Sequence, residues 1–187
     1  MAASTVSRAL STPDRVNIRT RARREAAAAE LNYTPNSQAK ALSSGRTGAV
    51  GVLVPDITNP FYFDLMRGTQ LQLKAAGYTQ LLVDTEESDE VEASTMEQLR
   101  KSADGIIVAA SRLNDESLLA AAAKIPLVAV NRDVAGVPAV VIDTPSATSQ
   151  ALDHLISLGH TRVAYMAGPF TSQSSALRWA ALAAAAE

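Results

Sequence analysis

The chain has 187 residues, of which 47% are hydrophobic, and its formal net charge is −2. This length and hydrophobic content suit one ordinary domain, or a small module beside a moderate one, and they exclude an intrinsically disordered chain. With no cysteine and two histidines, His154 and His160, the sequence excludes disulfides and offers little for a zinc site, so we predict no metal and no cofactor.

The charge is unevenly distributed along the chain. Residues 1–48 hold eight Arg/Lys against three Asp/Glu, a net charge of +5, whereas the remainder holds nine against sixteen, a net charge of −7. A basic arm on an acidic body indicates a polyanionic partner for the arm alone, although arginines on a solvated helix would look the same. No secretion leader and no apolar run of membrane length is found, so we expect a soluble cytoplasmic protein without a membrane partner.

The first predicted element is a short helix over residues 2–11. Its apolar side chains, Val6 and Leu10 among them, form one narrow stripe, while Ser4 and Arg8 lie one turn apart on the other side. An arginine can bind guanine through two hydrogen bonds, and hydroxyl groups suit phosphate oxygens. Taken alone, seven residues of this kind would also fit an ordinary surface helix.

A turn at Pro13 separates this helix from a second one, which begins near Asn17 and runs to Leu31. Pro35 breaks the second helix, and a short third helix follows over residues 37–42. Residues 43–48 are polar and glycine-containing, which is typical of a linker. We therefore expect a domain boundary at this point, with a small module at 1–48 and a larger one at 49–187.

Apolar runs alternate with amphipathic stretches after the linker. Residues 49–54 are apolar throughout, as in a parallel strand that is buried on both faces. Further strands are predicted at 80–84, 105–110, 127–130, 140–143 and 163–167. Helices are predicted at 60–76, 88–101, 115–124, 145–158 and 174–187. Gly77 is predicted to end the first of them, Asn114 to cap the third and Thr144 to cap the fourth. This alternation predicts an α/β fold with a doubly wound parallel sheet.

Several short motifs occur in a specific order and spacing. The segment Ser4-Thr5-Val6-Ser7-Arg8 precedes Leu31-Asn32-Tyr33-Thr34-Pro35-Asn36, and Val54-Pro55-Asp56-Ile57-Thr58-Asn59-Pro60-Phe61-Tyr62 follows the linker. This series resembles the LacI/GalR family of bacterial transcriptional repressors over essentially the whole chain. The resemblance implies a helix-turn-helix headpiece with a hinge helix, followed by an effector-binding core of the periplasmic-binding-protein type with two lobes.

The resemblance also implies which residues contact DNA. The base-reading positions fall on Ala3, Ser4 and Arg8, and the phosphate-contacting positions on Thr5, Ser7, Asn17 and Thr20. Asn17 and Thr20 are at least as well explained by helix capping. The hinge positions are Asn36, Ala39 and Leu42; Leu42 would be a minor-groove wedge, and packing of a linker leucine on the core is the alternative.

For the core, the resemblance places effector-binding residues beyond the carboxyl ends of the strands. These residues are Phe61, Tyr62, Asn131, Arg132, Asp143, Ser172, Ser174 and Arg178. One of the two aromatic residues is expected to belong to the core instead. Amides, carboxylates, arginine and an aromatic ring suit a small-molecule effector such as a sugar.

The family pattern extends beyond both ends of this sequence. A first helix normally precedes the recognition helix, and the first lobe at 49–143 is nearly complete whereas the second lobe is represented only by 144–187. We therefore expect a chain that is truncated at both ends and that binds operator DNA weakly. The resemblance implies a homodimer that binds double-stranded operator DNA and is controlled by a small-molecule effector.

Two other classes of protein remain as alternatives. A sugar-binding protein with the same core but no DNA binding would need a secretion signal and would lack the basic arm. An α/β enzyme would need a phosphate-binding glycine loop or a nucleophile elbow, and neither motif is present. We therefore expect a regulator and no catalytic residue.

Overall fold

In a computed structural model of the chain, the described residues are Glu30, 45–169 and 171–185. The chain divides into two compact units, residues 1–47 and 48–187. The second unit holds all the strands and helices described below.

The second unit alternates strands with helices. The strands are β1 (Ala49–Val54), β2 (Thr79–Asp84), β3 (Gly105–Ala109), β4 (Leu127–Val130) and β5 (Ala139–Val140). The helices are α1 (Phe63–Ala75), α2 (Asp89–Leu99), α3 (Asp115–Ala122), α4 (Thr144–Ser157) and α5 (Gln173–Ala185), and a 3-10 turn, Pro60–Tyr62, leads into α1. The α/β fold class is therefore confirmed.

The five strands form one sheet in the order β2-β1-β3-β4-β5, and every pairing is parallel. Helices cover both of its faces. Leu53 of β1 belongs to the larger apolar cluster, to which α2 contributes Met96 and α3 contributes Leu118. Val54, the next residue, packs with Tyr62 on the opposite face, where α1 lies. This is the doubly wound arrangement that the sequence predicts.

One face of the sheet becomes more exposed from β1 towards β5. Val52 and Val128 lie on this face, because each is paired with Ile107 of the strand between them. Val140 lies on the same face, because it is paired with Val130, two residues after Val128. Val52 is fully buried, whereas Val128 is 37% and Val140 is 63% exposed. Burial of apolar surface stabilises a fold by about 25 cal/mol per Å². Because β4 and β5 leave more of their apolar side chains in water, they gain less stability from burial than β1 does.

The helix boundaries follow capping chemistry. Asn114 caps α3 by accepting a hydrogen bond from the backbone of Ser117, as predicted. Gly77, with a φ of 78°, follows the end of α1, also as predicted. The prediction that Thr144 caps α4 is wrong, because the Asp143 carboxylate accepts the bond from Ser146 N–H and is the N-cap.

Two predicted elements differ from the structure. The strand expected at 140–143 is shorter and lies at Ala139–Val140. The strand expected at 163–167 is absent, since residues 160–169 have no regular structure. A strand needs a neighbour to accept its backbone hydrogen bonds, and among the described residues the sheet ends at β5.

Candidate functional site

The carboxyl ends of the parallel strands bring four loops to one edge of the sheet. Among the described residues, four other than glycine adopt positive φ, and all four lie on these loops: Glu86 and Glu87 after β2, Ala110 after β3 and Asn131 after β4. Such backbone conformations cost free energy, about 1–3 kcal/mol each, and persist where surrounding contacts enforce them. The loops at this edge are therefore held by specific contacts.

The loop after β1 presents two aromatic residues. Asn59 accepts a hydrogen bond from Phe61 N–H at 3.0 Å and so starts the 3-10 turn. Phe61 is 57% exposed, whereas Tyr62 is 7% exposed and packs with Val54 and Ala109. The two rings meet edge to face at 5.1 Å. Phe61 is thus available to a ligand, and Tyr62 is the buried member of the pair.

The loop after β3 is bound by a buried carboxylate. Glu92, on α2, is 1% exposed and accepts hydrogen bonds from the Ser111 hydroxyl and, at 2.9 Å, from Arg112 N–H. Ser111 in turn accepts a bond from Leu113 N–H at 3.2 Å. Burial raises the pKa of Glu92, and the two hydrogen bonds oppose that rise.

Two largely buried arginines join neighbouring loops. Arg112 donates to Glu87, after β2, at 2.8 Å. Arg132, after β4, donates to the Asp115 carboxylate at 2.6 Å and to the carbonyl of Leu113 at 3.0 Å. Arg132 therefore connects two loops instead of presenting a free guanidinium group.

Arg112 also acts on a neighbouring side chain. Burial raises the pKa of the Tyr62 phenol, and the positive charge of Arg112 opposes that rise.

A cavity of about 450 Å³ lies where these loops meet α4 and α5. Four of the predicted effector residues line it: Phe61, Asn131, Ser174 and Arg178. Much of the remaining wall is the apolar side of α4, including Ala151 and Leu155. The cavity thus offers a flat aromatic ring, an amide, a hydroxyl group and a guanidinium group to one ligand.

The other predicted effector residues lie elsewhere. Asp143 lines a neighbouring depression of about 270 Å³, together with Asn131 and Ser174, and its carboxylate caps α4. Ser172 is in the turn before α5, where its hydroxyl accepts from Ser175 N–H at 3.4 Å. Tyr62 and Arg132 do not line the cavity. Asn131 is fixed by a bond from Ile142 N–H to its side-chain oxygen, at 3.2 Å.

The predicted DNA-contacting residues lie outside the described residues. They are Ala3, Ser4, Thr5, Ser7, Arg8, Asn17, Thr20, Asn36, Ala39 and Leu42. Within the described ranges, no group of three or more His, Asp or Glu side chains could hold a metal ion. In the same ranges, the helices are too short or too polar to cross a bilayer.

Sequence reasoning missed several residues of this region. Tyr165 lines the cavity, and its buried hydroxyl lacks a hydrogen-bond partner. Its ring stacks on Trp179 of α5 with centroids 6.3 Å apart. Glu92 and Arg112 were also missed, because a charged residue on a helix or in a loop is normally solvated. Of these residues only Tyr165 could have been predicted from the sequence, because it is an aromatic residue with a polar hydroxyl in an apolar run.

Comparison with known proteins identifies the family to which this arrangement belongs. A model described as periplasmic binding proteins and sugar binding domain of LacI family matches residues 47–186. A second model, bacterial regulatory proteins of the lacI family, matches residues 2–36. The first of these models covers the parallel sheet and the residues that line the cavity at its carboxyl edge. The chain belongs to the LacI family of bacterial regulatory proteins.

Individual relatives agree with this assignment. The transcriptional regulator DegA of Bacillus subtilis is 33% identical over 88% of this chain and 51% of its own. The Lac repressor dimer bound to operator and the anti-inducer ONPF superposes with a TM-score of 0.80 at 25% identity, over 97% of this chain and 56% of its own. A periplasmic binding protein/LacI transcriptional regulator from Alkaliphilus metalliredigens, complexed with D-xylulofuranose, gives a TM-score of 0.67 at 26% identity, over 74% of this chain and 52% of its own. This chain spans about half the length of the curated relatives it matches.

Proposed function

We propose that this chain acts, or forms part of a protein that acts, as a cytoplasmic transcriptional repressor controlled by a small sugar. In this proposal residues 1–48 bind double-stranded operator DNA, a homodimer places two recognition helices in successive major grooves, and the sugar binds at the carboxyl edge of the sheet. The observation that carries the effector part is the cavity that joins Phe61, Asn131, Ser174 and Arg178.

The chemistry of these side chains supports a polyhydroxylated ligand. The exposed ring of Phe61 can pack on the apolar face of a sugar, while the amide of Asn131 and the guanidinium of Arg178 can bind its hydroxyl groups. The D-xylulofuranose found in the Alkaliphilus regulator belongs to the same ligand class. The DNA-binding part is supported by the family match at residues 2–36 and by the basic charge of residues 1–48.

The proposed coupling is a linkage between two sites. A sugar that binds the core better in one conformation than in the other changes the population of the two, and with it the affinity for DNA. Ser174 and Arg178 lie on α5, and Phe61 and Asn131 lie on the sheet side, so a ligand bound to all four would hold these two parts together.

Fluorescence anisotropy on a palindromic site from the chain's own promoter region tests the proposal. We expect the unaltered chain to bind this site specifically. Arg8→Lys keeps the positive charge but loses the two-pronged contact with guanine, so it should reduce the preference for the specific site by about 1–3 kcal/mol. Equal affinity of the unaltered chain for the palindrome and for a scrambled duplex would refute the DNA-binding proposal.

The same assay with added sugars tests the effector. D-Xylulose and a panel of pentoses and hexoses should include one that changes the DNA affinity. Arg178→Ala should abolish that response while leaving the affinity without sugar unchanged, since Arg178 lies in the core cavity. A sugar response that survives in Arg178→Ala would place the effector elsewhere.

A further inference from the structure

The first residue of α5 is hydrogen-bonded to the loop after β4, forty residues earlier in the chain. The side-chain oxygen of Gln173 accepts from Asp133 N–H at 2.7 Å, and its amide nitrogen donates to Asp133 C=O at 3.0 Å. One side-chain amide thus pairs with both polar groups of a single backbone residue. Two simultaneous bonds fix the orientation of the amide as well as its distance.

This pairing connects the two sides of the cavity. On the sheet side, Asp133 lies two residues after Asn131, whose left-handed conformation turns the loop. On the other side, Ser174 follows Gln173 directly, and Arg178 lies little more than one turn further along α5. The contact between Gln173 and Asp133 therefore lies next to the residues that face each other across the cavity. It controls the distance of Asn131 from Ser174 and Arg178.

We propose that Gln173 is a positioning residue that fastens α5 to the loop after β4 and so sets the width of the cavity. The inference rests on the proposed function only in treating this cavity as the effector site. With Gln173 in place, Ser174 and Arg178 face Asn131 at a distance that one small ligand can span. Without it, α5 keeps its other contacts but its first turn is no longer tied to the sheet side.

The test is amide hydrogen exchange on the full chain, with no ligand and no DNA. Gln173→Leu removes both hydrogen bonds at similar size, and Gln173→Asn keeps the amide but shortens its reach by one methylene. In both variants we expect the Asp133 amide to exchange roughly five- to tenfold faster, the factor expected for one lost hydrogen bond. The sole tryptophan, Trp179 on α5, should lose fluorescence anisotropy at the same time.

Gln150 supplies a matched control. It lies on α4, and its amide nitrogen donates locally to the Ser146 hydroxyl at 3.2 Å. Gln150→Leu is the same chemical change, yet it should leave the Asp133 amide and the Trp179 anisotropy as they are in the unaltered chain. Unchanged Asp133 exchange in both Gln173 variants would overturn the proposal, and so would faster exchange with an unchanged Trp179 anisotropy.

A second arm separates this proposal from the proposed function. D-Xylulose and the same panel of pentoses and hexoses are titrated into the unaltered chain and into Gln173→Asn, and binding is followed calorimetrically. If a sugar binds, we expect roughly tenfold weaker binding by the variant, and equal binding would overturn the positioning role. If no sugar binds the unaltered chain, the effector proposal fails, whereas the exchange and anisotropy results still decide whether Gln173 fastens α5.

Discussion

Glu92 shows how much a single side chain contributes to the arrangement of the site. Its carboxylate is buried, yet both oxygens are engaged, one by Ser111 and the other by the backbone of Arg112. A buried charge is tolerated only with such partners. Because Ala110 next to this pair adopts a φ of 46°, the two hydrogen bonds also hold a strained turn in place.

The raised pKa of Glu92 has a consequence for stability. A carboxyl group whose pKa is higher in the folded than in the unfolded chain makes the folded state relatively more stable as the pH falls. The gain occurs between the raised value and the ordinary glutamate value of 4.5. We therefore expect the free energy of unfolding of the unaltered chain to rise relative to Glu92→Gln as the pH is lowered towards 4.5. Urea titrations at several pH values measure this difference.

Glu97→Gln is the control for that experiment. Glu97 is exposed, and the hydrogen bond from Arg100 lowers its pKa. Its stabilising contribution is therefore constant above a pH of about 4.5 and is lost only below it. The difference between the unaltered chain and Glu97→Gln should stay flat over the range in which the Glu92→Gln difference changes; parallel curves for the two variants would contradict the account of Glu92.

Two glycines of the core unit should respond oppositely to the same substitution. A Cβ atom at Gly51 would lie 2.6 Å from Leu99 Cδ1, whereas one at Gly68, inside α1, would meet nothing within 4 Å. We expect Gly51→Ala to lower the free energy of unfolding by about 1–2 kcal/mol through overpacking. Gly68→Ala should raise it by about 0.5–1 kcal/mol, because alanine favours a helix. Chemical denaturation measures both; a stabilised Gly51→Ala would show that Leu99 moves freely.

At the scale of elements, the sequence predicts those whose signal is local. The apolar run at 49–54 and the cap at Asn114 specify β1 and the start of α3 without reference to the rest of the chain. The prediction of a strand at 163–167 was wrong, because a strand depends on a partner strand, which the periodicity of the sequence cannot reveal. The predicted cap of α4 was wrong because the side chains of Asp143 and Thr144 can both cap a helix, and only the backbone geometry selects Asp143.

The same distinction applies to the candidate site. That Phe61 and Asn131 line the cavity could be predicted, since each follows a strand whose carboxyl end lies at the edge of the sheet where the cavity is found. Glu92 and Gln173 could not, because their partners are distant in sequence and are partly or wholly backbone groups. The roles of residues 1–48 in DNA binding stay predictions.

The cap of α4 can be tested directly. Asp143→Ala removes the acceptor for Ser146 N–H and should lower the free energy of unfolding by about 1 kcal/mol. Asp153→Ala, an exposed position within the same helix, should change it by less than about 0.5 kcal/mol. Denaturation without any ligand isolates the capping effect, and equal losses in the two variants would argue against it.

For the whole molecule, the dominant feature is the opposition between a basic segment at 1–48 and an acidic remainder. Charge of one sign concentrated in one segment attracts a polyanion to that segment and repels it from the other. This places the expected DNA contacts in the part of the chain that the lacI regulatory model matches at residues 2–36.

The salt dependence of DNA affinity should follow this charge distribution. Replacing Arg19 and Arg21 by glutamine should weaken binding to DNA of any sequence and make the slope of log affinity against log salt shallower, because fewer counterions are released. Replacing Arg67 and Lys74 of α1 by glutamine removes the same charge from the acidic remainder. We expect the second variant to keep the original slope in anisotropy titrations at several salt concentrations, and equal changes in both would contradict the segregation of function.

The increasing exposure of the sheet from β1 to β5 also bears on the order in which the molecule comes apart. Regions with few buried apolar contacts open locally before the whole fold does. We therefore expect a protease to cleave first in the part that holds the two-residue strand β5 and the exposed Val140. Asn131 and Ile142 flank that part, and both line the cavity. A ligand bound between them would act as a clamp, and resistance to proteolysis would then report occupancy of the cavity.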